Sequence, residues 1–317
     1  MLVFIVPKIN VLYCFDDKFW RLAAVSIRSL MLSQKHPENM VVHCMVAPRT
    51  CGKRKIRRIV TCAGGRVIWR VVNSRKNPYK GYDYSRWSPV IFFRLFAHRI
   101  FPNLDKILYL DSDTLVCGDI TSLYNTDISK YAMGAVRDMA PTEIDDNPNG
   151  KYVREFIKLH LKHNLYINSG VLLLNLSKMR ECESDLLNVR VPLKYPDQDI
   201  LNVGLDGKIR ELPLKYNFIP EMQISSKFSD ATKKAAIKGA VIHHFYAIKP
   251  YMYHPMFPQT YSDFYKMASS LGLYPEDFVK ADMKRISKKH RHDSKTHIPY
   301  LRLDKRGRLK LFGVFRV

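Results

Sequence analysis

Acidic residues are scarce in this chain: 29 Asp and Glu stand against 52 Lys and Arg among 317 residues. The resulting net charge of +23 implies an anionic partner, whether nucleic acid, an anionic membrane face or phosphorylated substrates. Cys-x-x-Cys pairs are absent. The six cysteines (Cys14, Cys44, Cys51, Cys62, Cys117, Cys182) are scattered, several inside apolar runs such as Val42–Val46. That spacing argues against a zinc knuckle or a disulfide framework and leads us to expect reduced, mostly buried thiols in a cytosolic protein. Long hydrophobic runs are also lacking. Met1–Pro7 is too short to span a bilayer and has neither a basic n-region nor a small-residue cleavage site. The expectation is therefore a cytoplasmic protein, free or peripheral on the inner face of the membrane. No internal repeat, low-complexity tract, RRM, KH or zinc-finger signature is present.

What is present is apolar content of 46%, enough for one large α/β domain with an appendage. Asn10–Phe15 reads as a short strand. A helix capped by Asp16 or Asp17 is expected to run to about Gln34, with Trp20, Ala23, Ala24, Ile27, Leu30 and Met31 at helical spacing. Further strands are predicted at Met40–Ala47, Arg66–Val72, Lys106–Leu110, Ala132–Val136, Ile167–Leu174 and Ala240–His244. Helices are predicted at Arg49–Ala63, Pro89–Ile100 and from Pro196 to Gly204. The alternation implies an open, mostly parallel sheet with helices on both faces, whose ligands bind beyond the carboxyl ends of the strands. Asp16, Asp17 and the stretch Asp111–Asp113 all follow such ends.

Asp111-Ser112-Asp113, directly after the apolar strand ILYL, has a definite chemical use. Two carboxylates two residues apart at a strand-to-loop transition can face one hard divalent cation, which bridges them to a diphosphate. The plainer reading is a pair of solvated loop aspartates. A third ligand is needed. His243 follows an apolar strand and suits Mn²⁺, His244 has an equal chemical claim, and either is also an ordinary core histidine. Lys249, just before Pro250, could meet a diphosphate as a point charge or be a surface lysine.

The strings NVLYCFDD (10–17), FFRLF (92–96), DKILYLDSDTLVCGDI (105–120), YINSGVLLLNL (166–176), PDQDILN (196–202), LKYNFIP (214–220) and VIHHFYAIKPY (241–251) occur in the order seen in glycosyltransferase family 8. The chain resembles that family from about Asn10 to Tyr251. The resemblance implies a GT-A fold, Mn²⁺ (or Mg²⁺), a UDP-hexose donor and transfer with retention. It matches Asp111, Asp113 and His243 to the metal, and Lys249 to the donor diphosphate. Cys14 and Asp16 match the uridine positions, and Ser112 also falls at the donor site. Arg94, Asn168 and Asp197 match the donor sugar, and Gln198 the side chain nearest the reacting carbon. Two departures stand out: Tyr246 replaces a customary glycine and Lys18 a customary asparagine.

A retaining hydrolase places a carboxylate below the anomeric carbon. The matching residue here is an amide, Gln198, so a front-face transfer is expected. Asp197 and Asp199 keep a double displacement open, and both also suit the capping of a helix N-terminus. The implied acceptor is a glycan or glycolipid, foremost a lipopolysaccharide or lipooligosaccharide core, with a capsule or protein acceptor as the alternative. The donor sugar the resemblance implies is galactose or glucose. Composition divides the chain into 1–275 and a basic, partly amphipathic tail, 276–317. The segment 280–317 carries 13 Lys/Arg against 3 Asp/Glu and suits an anionic membrane interface. A non-catalytic polyanion binder would explain the tail but not the ordered motifs, and no nucleic-acid partner is expected.

Overall fold

The computed structural model describes residues 8–139 apart from 74, 76, 80 and 82–87, together with 148–220, 229–246, 249–250, 258–273, 300–303 and 309–312. The chain divides into two compact units, Met1–His244 and Phe245–Val317. In the first unit the strands are β1 (Ile9–Phe15), β2 (Met40–Val46), β3 (Arg66–Val71), β4 (Lys106–Leu110), β5 (Thr114–Val116), β6 (Met133–Arg137), β7 (Ile167–Asn175), β8 (Ile209–Glu211) and β9 (Ile242–His244). The helices that matter below are α1 (Trp20–Ser33), α2 (Lys53–Cys62), α3 (Ala97–Ile100), α4 (Thr121–Tyr124), α5 (Pro148–His160), α6 (Leu176–Glu181), α7 (Glu183–Leu187), α8 (Pro196–Gly204) and α9 (Asp230–Gly239).

Seven strands form one sheet in the order β3-β2-β1-β4-β7-β6-β8. β1 runs parallel to β2 and β4, β2 to β3, and β6 to β8; only β7 runs antiparallel to its neighbours. The expected α/β architecture with a mostly parallel sheet is therefore what the chain adopts. β1 and β2 are buried along nearly their whole length, as strands covered on both faces must be. Because β1, β4 and β6 point the same way, their carboxyl ends share one edge, and Asp16, Asp111 and Asp138 lie just beyond them. A two-stranded antiparallel ribbon, β5 with β9, stands at this edge and pairs Thr114 with His244 and Leu115 with His243.

Local rules were overridden in three places. α1 begins at Trp20, and its N-cap is Phe19 without a side-chain bond; Asp16 instead closes the preceding turn, accepting from the N–H groups of Lys18 (2.9 Å) and Phe19 (3.3 Å). The run Pro89–Phe96 winds as a 3₁₀ helix, and only Ala97–Ile100 is α-helical. Phe92 through Phe96 are all buried, so no solvent face remains to impose a helical period. The six free cysteines divide evenly: Cys14, Cys44 and Cys182 are buried, and Cys51, Cys62 and Cys117 exposed, where mostly buried thiols were expected.

In the second unit, α10 (Pro258–Ser269) packs Phe264 against Phe245, ring centroids 6.0 Å apart. The tail contains an antiparallel hairpin, β10 (Tyr300–Leu303) with β11 (Leu309–Phe312). Its other residues, including the basic cluster at 284–291, lie outside the described residues.

Candidate active site

Arg94 is the hub of the site. Its guanidinium, 6% exposed, meets Asp111 Oδ1 at 2.9 Å and Asp197 Oδ2 at 3.3 Å, donates to the Ser169 carbonyl at 2.8 Å and lies 4.2 Å from the Tyr109 ring centre. Burial works to weaken its charge, but Asp111 and Asp197 hold the pKa well above the usual guanidinium range. Tyr109, two residues before Asp111 on the same face of β4, gives its hydroxyl to the same carboxylate oxygen that Arg94 holds. Asp111 is thus gripped through Oδ1, while Oδ2 faces the ribbon.

Asp113 is 7% exposed. The loop carrying it is tied down by Thr114, whose hydroxyl donates to the Asp111 carbonyl (2.8 Å) and lies 2.7 Å from Ser26 of α1. Ser112 is buried, and its hydroxyl meets no partner among the described residues. The histidine that joins the aspartates is His244. Its Nε2 lies 3.6 Å from Asp111 Oδ2 and 3.5 Å from Asp113 Oδ1. One ligand atom from each of the three residues falls within 4.8 Å of the others. Two carboxylates and an imidazole at that spacing fit a first-row divalent cation such as Mn²⁺. His243, the residue matched by motif spacing, projects from the other side of β9 and packs edge-on against Phe218, ring centroids 5.4 Å apart.

The α8 N-terminus supplies the opposite wall. Asp197, Gln198 and Asp199 are all buried. Asp197 accepts from the Ser169 hydroxyl at 3.1 Å, and burial raises its pKa against the pull of Arg94. Gln198 is fixed at both ends: Oε1 accepts from the Ser169 N–H at 3.0 Å, and Nε2 donates to Asp138 at 2.8 Å. Asp199 points elsewhere. It accepts from the Tyr166 hydroxyl, the Tyr152 hydroxyl (2.9 Å) and the N–H groups of Lys194 and Tyr195 (2.8 Å each).

Cys14, at the end of β1, is close enough to Arg94 and Asp111 to feel both charges, and burial pushes its thiol up. Asp16 is half-buried beside it, and Asp17 turns to the Cys51 N–H at 2.9 Å. Asn168 is 4% exposed and accepts from the Gly170 N–H. In the second unit, Lys249 donates to the carbonyls of Phe245 (3.4 Å) and Tyr246 (3.3 Å).

Sequence reasoning missed Asp138, Asn217, Ser169 and Tyr109. Asp138 had a legible signal, because it follows an apolar strand as Asp16 and Asp111 do. Asn217 had none beyond its place in LKYNFIP.

This fold and this site define a glycosyltransferase of the GT-A kind. The chain belongs to glycosyl transferase family 8, whose model matches residues 10–254. It is 29% identical over 300 residues to a lipopolysaccharide 1,2-glucosyltransferase of Escherichia coli K12, spanning 90% of this chain and 85% of that one. A putative glycosyltransferase of Haemophilus influenzae is 29% identical over 219 residues, 67% of this chain and 63% of that one. Among solved structures, the galactosyltransferase LgtC with donor and acceptor sugar analogues superposes with a TM-score of 0.66 at 22% identity, covering 86% of this chain and all of that one.

Proposed function

We propose that this glycosyltransferase moves a hexose, glucose or galactose, from a UDP-sugar onto a lipopolysaccharide or lipooligosaccharide core, with retention and with Mn²⁺ as its metal. The observation that carries the reading is the convergence of Asp111, Asp113 and His244 at the ligand-binding edge of the sheet. The acceptor class is supported by the Escherichia coli relative named above. Asp111 and Asp113 with His244 would hold the cation, which when bound would offset the charge of the departing diphosphate.

The remaining assignments concern the chain's own groups. Asp16 and Cys14, at the end of β1, would hold the nucleoside. Arg94, Asp197, Ser112 and Asn168 would frame the donor sugar, and Lys249 is assigned to the diphosphate by its motif position. In the transfer, the bond from the anomeric carbon to the phosphate oxygen breaks as the acceptor oxygen bonds to the same face. The acceptor's proton passes to the leaving diphosphate. Gln198, its amide orientation set by Ser169 and Asp138, presents a neutral oxygen rather than a nucleophile near the reacting carbon. Asp199, wrapped by four donors, supports this front-face route over a double displacement. The segment 276–317 is assigned to an anionic inner-membrane surface; among the described residues no helix is long and apolar enough to cross a membrane.

The test is UDP release with Mn²⁺ across UDP-glucose, UDP-galactose and their N-acetylated counterparts. One hexose donor should dominate. Asp113→Ala should lower that rate by about a hundredfold or more, consistent with loss of transition-state charge stabilisation of about 3 kcal/mol. Undiminished turnover by Asp113→Ala, or indifference to chelators, removes the reading.

A further inference from the structure

The two ends of an asparagine amide differ only in what they bond, so an orientation is fixed where a group of unambiguous character meets one end. The Gly170 N–H is such a group, and it donates to Asn168 Oδ1 at 3.0 Å. The same oxygen accepts from Asn217 Nδ2 at 2.9 Å. That turns Asn217 Oδ1 toward His244 Nδ1, 3.0 Å away. An amide oxygen can only accept, so Nδ1 carries the proton. A neutral imidazole protonated there presents Nε2 as a lone pair, and Nε2 is the atom that faces Asp111 and Asp113. Asn168, Asn217 and His244 are 4%, 1% and 2% exposed, so bulk water does not compete for these bonds.

We propose that Asn217, set by Asn168 and the Gly170 N–H, is a positioning residue that fixes His244 as its Nδ1–H tautomer and so presents Nε2 to a divalent cation. The final clause rests on the metal reading above; the tautomer does not. Gly170 serves the relay twice. It supplies the anchoring N–H, and a Cβ at that position would fall 2.1 Å from His244 Cε1, so only glycine leaves room for the ring. Asn168 is thereby committed through its oxygen, and its Nδ2 is the end left for a donor sugar.

The tautomer is read directly in the metal-free, full-length protein by long-range ¹⁵N–¹H correlation of the histidine rings, with His244→Gln supplying the assignment. The parent should show the Nδ1–H pattern at His244, and Asn217→Leu should lose it. Mn²⁺ affinity, followed by electron paramagnetic resonance of the free ion, should weaken about 10- to 100-fold in Asn217→Leu. Asn217→Asp keeps an acceptor at Nδ1 but cannot donate to Asn168. It should unfold more easily while holding the Nδ1–H pattern and near-parental affinity, which a merely structural role would not allow. If Asn217→Leu fails to fold, Asn217→Ser, too short to reach Nδ1, carries the same expectation. An Nε2–H pattern in the parent, or an unchanged tautomer in the Leu or Ser variant, overturns the relay. The Nδ1–H pattern in a parent that takes up no Mn²⁺ would overturn the metal reading alone.

Discussion

Asp199 and Gln198 are neighbours on α8 with opposite surroundings, and the contrast decides what each can do. Four donors converge on the Asp199 carboxylate, which joins Tyr152, Tyr166 and the 194–195 backbone into one buried node. Burial raises its pKa while those donors pull the other way. Asp199→Asn should therefore destabilise the fold, by about 2 kcal/mol in chemical denaturation, because one or more buried donors lose their acceptor. Gln198→Ala should lower kcat and also cost stability, because the buried Ser169 N–H loses its acceptor and Asp138 its donor. A far larger kcat loss in Asp199→Asn than in Gln198→Ala would restore the covalent route. At this scale the sequence is readable where a residue follows an apolar strand, as Asp16, Asp111 and Asp113 do. It is silent on whether His243 or His244 faces the aspartates. Strand alternation gives the two opposite sides, and only the pairing of Thr114 with His244 selects between them.

Among the elements, α2 is assembled against its own electrostatics. It opens with Lys53, Arg54 and Lys55, has no acidic residue in its first turn, and starts from Gly52 without a side-chain cap. Cations there oppose the helix dipole, and Arg54 with Arg58 is a like-charge pair one turn apart. What retains the helix is its buried stripe of Ile56, Ile59 and Val60. Arg54→Glu should consequently stabilise the protein by about 1 kcal/mol at low salt, a rise of roughly 2–4 °C in Tm, with the gain fading toward about 1 M salt. Strands were the most legible elements, because seven apolar runs bounded by turn residues carry them. α5 was not foreseen: it begins in Pro148-Asn149-Gly150, residues that signal a turn, yet places Val153 and Phe156 in a small core with Tyr166. β8 is three residues long, too short for any periodicity to show.

Whole-molecule stability should carry the imprint of a single buried imidazole. His43 sits in the sheet interior, 4% exposed, with Nε2 2.9 Å from Asn10 Oδ1. Burial, helped by Arg70 and Arg66 on the edge strand, lowers its pKa to about 4 from 6.5. The unfolded chain therefore takes up this proton first as the solution is acidified. The stability conferred by the neutral ring is complete above pH 6.5 and is lost between 6.5 and about 4. The loss amounts to about 3 kcal/mol. Thermal unfolding followed across that range should fall less steeply for His43→Gln than for the parent.

The ribbon of β5 and β9 has a consequence for how the molecule comes into being. One strand follows Asp113 directly and the other ends in His244, with β6 through α9 lying between them in the chain. During synthesis the two acidic side chains emerge long before the imidazole that faces them. The centre can close only after nearly the whole first unit has left the ribosome. Under the proposed metal reading, competence to capture an ion is a late milestone of maturation, and a nascent chain halted before β9 would carry its carboxylates without the ring that faces them.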